Sequence, residues 1–451
     1  MKPQVAVIGA GWSGLAAAIT LLDAGIDVTL VDAAPQTGGR ARRVSLALGD
    51  RDYAVDNGQH LLIGAYSEYM SLARRVGVAL EKQFRIEPFA LRYPDGFRIA
   101  AVRAPAPLHL AVALAFARGL TVAEKAAAAL WVQRWKRRRW TIDTDRPASA
   151  LLHDHPARLI ERLWGPLCLA ALNVRLEQAS GRMFLRVLGD SLGAAAAASD
   201  LLLPRANLST LLPDAAEAAF VSAGGKLRLR ASAQAITWQA GSSNWNVQLR
   251  GESLRANAVV LALPPARSVD LLESAALAGL NESIGLLTAI GSAPIATVYL
   301  RFPEATRLVK PIYALAEDPS AAEFGQWVFD RGWLEPACAG VLSVVISGSG
   351  PQTALSMDEL AASVARQLSR CFNLPAPLAH ASVVEKRATI VPSPGLRRPD
   401  TRLAVPGLYL AGDSADSPYP STLEGSVRAG LAAARAVISD VAQRRLIASS
   451  A

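Results

Sequence analysis

The sequence predicts an α/β fold, and three observations support this prediction. A β-branched strand at residues 5–8, an apolar helix at 15–23 and a second apolar strand at 28–31 follow one another. The turn at residues 9–14 reads G-x-G-x-x-G. The second strand ends at Asp32, which is placed to hold a ribose hydroxyl. Together these features predict a Rossmann-like βαβ unit that binds a dinucleotide.

The residues of this turn have separate physical tasks. Gly9 allows the tight turn, Gly11 lets a pyrophosphate approach the backbone, and Gly14 lets helix and strand pack closely. Trp12 and Ser13 stand at the start of the helix, where free N–H groups and a partial positive charge favour phosphate. We therefore expect all five residues in the cofactor site.

Composition limits the remaining classes of protein. The chain has 451 residues, of which 51% are hydrophobic, and a formal net charge of +9. These values predict a globular protein with two domains. The basic residues are scattered apart from the run RWKRRRW at 134–140, and no nucleic-acid motif is evident. We therefore expect this charge to meet an anionic membrane surface, and not nucleic acid.

The cysteines and histidines predict neither a disulfide framework nor a metal site. The three cysteines are far apart and form no C-x-x-C pair, which fits a reducing compartment. His153 and His155 lack a third ligand at a suitable spacing. The uncharged run at residues 5–22 resembles a signal peptide in composition, but its glycines fit a strand, a turn and a helix better.

A Gly-Gly-Arg turn follows the second strand, in the segment AAPQTGGRARR at 33–43. This turn resembles the flavoprotein amine oxidase and phytoene desaturase superfamily, whose FAD-binding domain is of the GR2 type. The resemblance implies that Gly39 and Arg40 contact the FAD phosphates and the flavin edge. The segment GGKLRLRASAQAI at 224–236 is similar to the part of these proteins that clamps the adenine through its backbone, and Ala233 stands where they usually have valine.

The C-terminal segment carries the more specific resemblance. Residues 407–437 read GLYLAGDSADSPYPSTLEGSVRAGLAAARAV, which predicts a strand at 408–411 and a helix from about Glu424. In the superfamily, the Gly-Asp pair binds the ribityl chain and phosphate, and the helix N-terminus points at the flavin pyrimidine ring. The resemblance thus implies cofactor contacts for four further residues, Gly412, Asp413, Thr422 and Leu423.

The matching segments are separated along the chain. They predict a discontinuous FAD-binding domain formed by residues 1–75, 205–275 and 395–451. The intervening residues 76–204 and 276–394 are expected to form an interleaved α+β substrate domain.

The segment DNGQHLLIGAY at residues 56–66 resembles one branch of the superfamily, the hydroxysqualene dehydroxylase family. This resemblance implies reductive removal of a hydroxyl from hydroxysqualene, giving squalene for hopanoid synthesis. Gly58 allows close approach of the flavin, and Gln59 and His60 are the candidate catalytic residues. His60 is the candidate proton source, with a purely structural histidine as the alternative.

Two other functions remain open. One is a carotenoid or phytoene desaturase of the same superfamily, which would oxidise its substrate. The other is a flavin-binding protein without activity that accompanies squalene-synthesising enzymes.

The region at residues 104–140 predicts contact with a membrane. Thr121 and Glu124 form a capping box, which predicts a helix from about Val122. Trp131 and Trp135 share one face of this helix, next to the basic run. Tryptophan beside basic residues is typical of an interfacial helix, and an internal helix with a solvated end is the alternative. The expected location is therefore the cytoplasm, peripheral on the inner face of the membrane.

Overall fold

The computed structural model describes residues 2–241 and 243–450, without the side chains of 444–450. The strands are β1 (Gln4–Ile8), β2 (Asp27–Val31), β3 (Arg43–Leu48), β4 (Arg51–Asp56), β5 (Leu62–Ile63), β6 (Phe84–Glu87), β7 (Ala90–Arg92), β8 (Arg98–Ala100), β9 (Leu201–Pro204), β10 (Lys226–Arg228), β11 (Ala233–Gln239), β12 (Asn244–Leu249), β13 (Ser253–Ala256), β14 (Ala258–Leu261), β15 (Ser292–Arg301), β16 (Ile312–Ala314), β17 (Trp327–Asp330), β18 (Val341–Ser347), β19 (Ala379–Ile390) and β20 (Leu408–Leu410). The helices are α1 (Trp12–Asp23), α2 (Ser67–Arg75), α3 (Leu80–Gln83), α4 (Leu108–Ala115), α5 (Val122–Arg137), α6 (Ala157–Leu159), α7 (Gly165–Leu172), α8 (Gly181–Leu192), α9 (Leu208–Leu211), α10 (Pro213–Ser222), α11 (Pro265–Ser274), α12 (Asn281–Thr288), α13 (Met357–Phe372) and α14 (Leu423–Ser450).

A five-stranded parallel sheet forms the first layer, in the order β10-β2-β1-β14-β20. Its strands come from three separated stretches of the chain, which contain β1 and β2, β10 and β14, and β20. The strands between these stretches belong to other sheets. Successive residues of β1 alternate between two hydrophobic clusters: Val5 and Val7 pack with α1 and α14, whereas Ala6 and Ile8 pack with α11 and β12. Burial on both faces is what a parallel sheet requires, and the predicted α/β fold is confirmed.

The second layer is an antiparallel sheet in the order β16-β17-β18-β15-β19. Side chains again alternate, so that Val344 packs against α13 while Val345 faces the opposite way, toward the helices that follow β8. This second face is turned toward the cavity described below. The proposed domain boundaries remain a prediction.

Helix α5 begins at Val122, as predicted, with both bonds of the Thr121 and Glu124 capping box. The prediction that its tryptophans lie at a membrane is wrong. Trp131 and Trp135 are 5% and 1% exposed and pack in the core of the surrounding helices. The spacing of the two rings shows that they share a face but does not show which way that face points.

No helix in the described part of the chain is both long enough and apolar enough to cross a bilayer.

Candidate active site

A large cavity of about 540 Å³ lies between the carboxyl ends of the parallel strands and one face of the antiparallel sheet. Such a crevice is where open α/β sheets bind ligands. It brings together most of the residues that the sequence singled out, from both ends of the chain. The predicted residues that line it are Gly9, Gly11, Trp12, Ser13, Asp32, Gly39, Arg40, Gly58, Gln59, His60, Gly412, Asp413, Thr422 and Leu423.

Two predicted residues, Gly14 and Ala233, lie outside the cavity lining. A Cβ on Gly14 would sit 1.7 Å from the carbonyl oxygen of Gly9, so this glycine permits the contact between helix and strand that was expected of it. Ala233 is buried at the start of β11. The adenine contact of its backbone stays a prediction.

The Gly-Gly-Arg turn packs directly on the glycine-rich turn. Gly39 has a φ of +62°, and a Cβ there would lie 3.1 Å from the Cα of Gly11. Position 39 therefore favours a residue without a side chain, whereas a Cβ on Gly11 would be at an ordinary contact distance of 3.8 Å from the Cα of Gly39. Arg40 then reaches across to Asp413, with 2.6 Å between Nη2 and Oδ2. Arg40 and Asp413, which are 373 positions apart, are thus joined by an ion pair at the cavity wall.

The start of α1 offers polar groups to an anion. Ser13 is buried, and its hydroxyl has no hydrogen-bond partner among the described residues, which a phosphate oxygen would supply. Trp12 contributes only backbone, because its indole donates to the carbonyl of Ala41 at 2.9 Å and packs on Tyr69. The carboxylate of Asp32 accepts the N–H groups of Ala10 and Ala34 at 2.6 and 2.7 Å, which fixes the turn.

The start of α14 closes the other side of the cavity. The helix begins at Leu423, and the hydroxyl of Thr422 accepts the N–H of Gly425 at 3.0 Å. The buried side chain of Glu424 accepts the N–H groups of Glu68 and Tyr69, so it ties the N-terminus of α2 to this wall. Sequence reasoning did not assign the side chain of Glu424 this role, because Glu68 and Tyr69 are more than 350 positions away, and only its ion pair with Arg428 is local.

The loop at residues 57–60 supplies the candidate catalytic groups. Gln59 is 7% exposed, and its carbonyl oxygen accepts from Arg331 at 2.7 Å and from Ser343 at 3.0 Å. Its amide donates to the carbonyl of His60 at 3.2 Å. These bonds make Gln59 an anchor of the loop, and its carbonyl oxygen has no capacity left for a substrate.

His60 presents one ring nitrogen to the cavity. Its Nδ1 lies 2.6 Å from the carbonyl oxygen of Gly58, so Nδ1 carries the hydrogen and Nε2 is an acceptor in the neutral ring. Burial lowers the pKa of His60, which favours this neutral form. A negative charge near the ring would favour a proton on Nε2.

Asp56, at the end of β4, is a buried carboxyl with a raised pKa. It is 1% exposed and accepts the N–H of Leu208 at 2.7 Å. Burial raises its pKa from 3.8 to about 6, although Arg331 and this hydrogen bond act in the opposite direction.

We expect Asp56 to make the protein more stable as the pH falls from 7 to 5. The folded protein takes up a proton near pH 6, whereas the unfolded chain does so only near 3.8. This contribution is complete below pH 3.8 and is lost as the pH rises through 6. At about 1.4 kcal/mol per pKa unit it reaches about 3 kcal/mol. Urea unfolding at pH 5, 6 and 7 measures the free energy of unfolding. This free energy should depend less on pH in Asp56→Asn than in the wild type. An unchanged slope would contradict this assignment, and Asp27→Asn, at an exposed carboxyl, is the control.

The part of the cavity away from the two glycine turns is apolar. Its walls come from α7, α8, β7 and the antiparallel sheet, and include Phe89, Leu91, Leu167, Leu188, Ile295, Trp327, Phe329 and Val345. Polar side chains also line it, among them Asn173, Ser191 and Ser347, and the hydroxyl of Tyr419 donates to Asp190 at 2.8 Å. Sequence reasoning missed these residues, since they come from many elements and share no local motif. The cavity can hold a polar, phosphate-bearing group at one end and a hydrocarbon at the other.

Comparison with known proteins identifies the class to which this fold and site belong. The family described as flavin containing amine oxidoreductase matches residues 12–438. The chain belongs to this family and is a flavin-dependent oxidoreductase. Cyclohexylamine oxidase from Brevibacterium oxydans shares the fold, with a TM-score of 0.69 at 19% identity over 98% of this chain and 100% of that one.

Within the family, the chain is similar to two proteins named hydroxysqualene dehydroxylase. The protein from Rhodopseudomonas palustris is 30% identical over 97% of this chain and 99% of its own length. The protein from Sinorhizobium fredii is 27% identical over 98% of this chain and 99% of its own length. A zeta-carotene desaturase from Capsicum annuum is 22% identical over 99% of this chain and 82% of its own length.

Proposed function

We propose that this protein uses FAD to remove the hydroxyl of hydroxysqualene reductively, forming squalene for hopanoid synthesis. The observation that carries the proposal is one continuous cavity that joins the glycine-rich turn to an apolar region. Two full-length relatives bear the name of this activity. A long hydrocarbon with one hydroxyl fits such a pocket, because it offers many apolar walls and few polar groups.

FAD is favoured over a smaller flavin by the residues at the glycine-rich turn. The unpartnered hydroxyl of Ser13 and the N-terminus of α1 suit a pyrophosphate, and Asp32 suits the ribose of an adenosine. The Arg40–Asp413 pair would adjoin the ribityl chain and the flavin edge. These groups lie along one wall, at the polar end of the cavity.

The reaction exchanges a C–O bond for a C–H bond. When bound in its reduced form, FAD would supply a hydride equivalent to the substrate carbon and be oxidised by two electrons. The C–O electron pair leaves with the oxygen, which takes up a proton to form water. We propose that Nε2 of His60 provides this proton, since the negative charge of a reduced flavin would raise the pKa that burial lowers. The apolar walls exclude bulk water from the reacting carbon.

A carotenoid-type desaturase is the second candidate, favoured by the resemblance to zeta-carotene desaturase. The same apolar cavity would accept such a substrate, but the flavin would then be reduced during the reaction. A flavin-binding protein without activity is the third candidate, and it predicts no turnover in either direction.

Anaerobic mixing of the reduced protein with hydroxysqualene in detergent separates these functions. We expect the visible absorbance of oxidised flavin to return while squalene appears in equal amount. Flavin that stays reduced while hydroxysqualene is recovered intact would contradict the proposal. Oxidised protein mixed with squalene or with a carotene precursor then tests for desaturation.

We further propose that the protein binds the membrane surface peripherally, through a different face of α4 and α5 from the one that the sequence suggested. Among the described residues, five exposed large apolar side chains lie close together in sequence: Val102, Leu108, Phe116, Val122 and Leu130. Phe116 and Val122, in the connection between the two helices, are 81% and 83% exposed. Residues 102–140 also carry eight basic side chains and one acidic side chain. Apolar side chains beside basic ones suit an anionic bilayer.

We expect Phe116→Glu combined with Val122→Glu to weaken binding to vesicles of phosphatidylglycerol and phosphatidylcholine at least 10-fold. Each substitution removes an apolar group worth about 1.5–3 kcal/mol when buried and adds a negative charge. Cosedimentation measures the effect. The control is Val309→Glu with Leu378→Glu, since these residues are 78% and 61% exposed elsewhere on the surface. Equal losses in both double variants would contradict the proposed surface.

A further inference from the structure

A buried guanidinium lies behind the loop at residues 57–60. Arg331 is 4% exposed and follows β17 in the antiparallel-sheet layer. Its Nη1 donates to the side-chain oxygen of Gln59 at 2.7 Å, and its Nη2 lies 3.5 Å from a carboxylate oxygen of Glu335. In the part of the chain that the structure describes, its Nε has no hydrogen-bond partner. Arg331 does not line the cavity, so it touches neither the substrate nor the cofactor.

The contacts around Arg331 converge on the segment that leads into the cavity. Ser343 donates to the same oxygen of Gln59 at 3.0 Å, and the backbone N–H of Gln59 donates to Thr297 at 3.2 Å. Tyr299 donates to the backbone carbonyl of Asp56 at 2.8 Å. Three elements of the antiparallel-sheet layer therefore hold residues 56–59: β15, β18 and the turn after β17. Gly58 and His60 line the cavity.

This arrangement is costly for a purely structural purpose. A buried charge with one unsatisfied N–H stabilises a fold poorly, and a well-packed apolar side chain often does as well or better. An arginine does provide directional hydrogen bonds, because its planar guanidinium group fixes the position of an oxygen that accepts from it. Here the fixed oxygen belongs to Gln59, whose neighbour His60 presents Nε2 to the reaction site.

We propose that Arg331 is a positioning residue. It holds the loop of Gly58, Gln59 and His60 in the position that the reaction between flavin and substrate requires. This inference rests on the proposed function and extends it to a residue outside the cavity. Its effect reaches the reaction through Gln59 and the backbone of the loop. Loss of Arg331 leaves the glycine turns, Asp32 and the Arg40–Asp413 pair in place, so the flavin still binds.

The test compares Arg331→Met, Arg331→Lys and a control, Gln367→Met. Gln367 is fully buried on α13, which packs against the antiparallel sheet, and it anchors Gly325 and Ala316, away from the cavity lining. Measurements on the purified holoenzyme are flavin content, melting temperature, kcat and KM with hydroxysqualene, and the visible spectrum of the bound flavin.

We expect Arg331→Met to keep its flavin and to lower kcat at least 10-fold with KM changed less than 3-fold. Arg331→Lys should recover part of kcat, because an ammonium can still donate to Gln59. Gln367→Met should lower the melting temperature similarly while leaving kcat within 2-fold. A kcat for Arg331→Met equal to that of Gln367→Met, or a loss of flavin, would overturn the inference.

The flavin spectrum separates this inference from the proposed function. If wild-type protein fails to convert hydroxysqualene, the proposed function fails, but a moved loop still changes the surroundings of the flavin. A shift of the flavin absorbance bands in Arg331→Met, absent in Gln367→Met, would then support the positioning role. Identical spectra in all variants would reject it.

Discussion

Replacing Gly39 by valine should give a folded but colourless protein. Gly39 has a φ of +62°, and a Cβ there would lie 3.1 Å from the Cα of Gly11. A β-branched residue would thus be strained by about 1–2 kcal/mol in this conformation and would push the two turns apart at the cofactor wall. We expect flavin affinity to fall at least 100-fold, which corresponds to about 2.7 kcal/mol. Flavin absorbance per protein after gel filtration measures this.

Gly25→Val is the matched control for this prediction. Gly25 also has a positive φ, +74°, but none of the described residues would lie within 4 Å of a Cβ there. The control therefore carries the backbone strain without the steric contact. We expect it to lose some stability and to stay yellow. If both variants lose flavin equally, strain alone explains the loss, and the contact between the turns is not essential.

The second large effect is expected at His60. His60→Ala should lower kcat about 100- to 10,000-fold, the usual contribution of a general acid, while flavin content stays unchanged. If the protonated ring is the acid, kcat of the wild type should fall as the pH rises through the pKa of His60 in the reduced complex. In His60→Ala, kcat should not show this fall with rising pH.

His155→Ala is the control for His60. His155 is also a half-buried histidine whose pKa is lowered by burial, but its Nδ1 accepts a bond from Trp164 at 3.0 Å outside the cavity. A kcat of His60→Ala close to that of His155→Ala would assign His60 a structural role only.

The sequence predicted the backbone at the polar end of the cavity wall, because the signals there are local, and the cofactor contacts of these residues remain a prediction. The spacing of Gly9, Gly11 and Gly14 between a strand and a helix determines one arrangement of backbone, and the structure has it. The resemblance to known flavoproteins then indicated which distant segments, such as the one at Asp413, complete that wall. The predicted role of the residues in these turns depends on the conformation of their own backbone.

Side-chain partners across the chain could not be predicted in the same way. The hydrogen bond between Gln59 and Arg331 joins residues 272 positions apart. No sequence motif around either residue predicts the other as its partner. For this reason the sequence predicts Gln59 only as a candidate catalytic residue and cannot show that its carbonyl oxygen accepts hydrogen bonds from Arg331 and Ser343. Similarly, the helical spacing of Trp131 and Trp135 fixed their common face, and only tertiary packing decides that this face is internal.

The direction of electron transfer is the central claim, and an isotope measurement tests it most directly. The protein would be reduced anaerobically in D₂O, where the reactive hydrogen of the flavin exchanges with solvent, and then mixed with hydroxysqualene for one turnover. We predict squalene that is one mass unit heavier than the unlabelled compound, with oxidised flavin in equal amount. Recovered hydroxysqualene without deuterium, together with an unsaturated product formed only by the oxidised protein, would contradict reductive dehydroxylation and make the protein a desaturase.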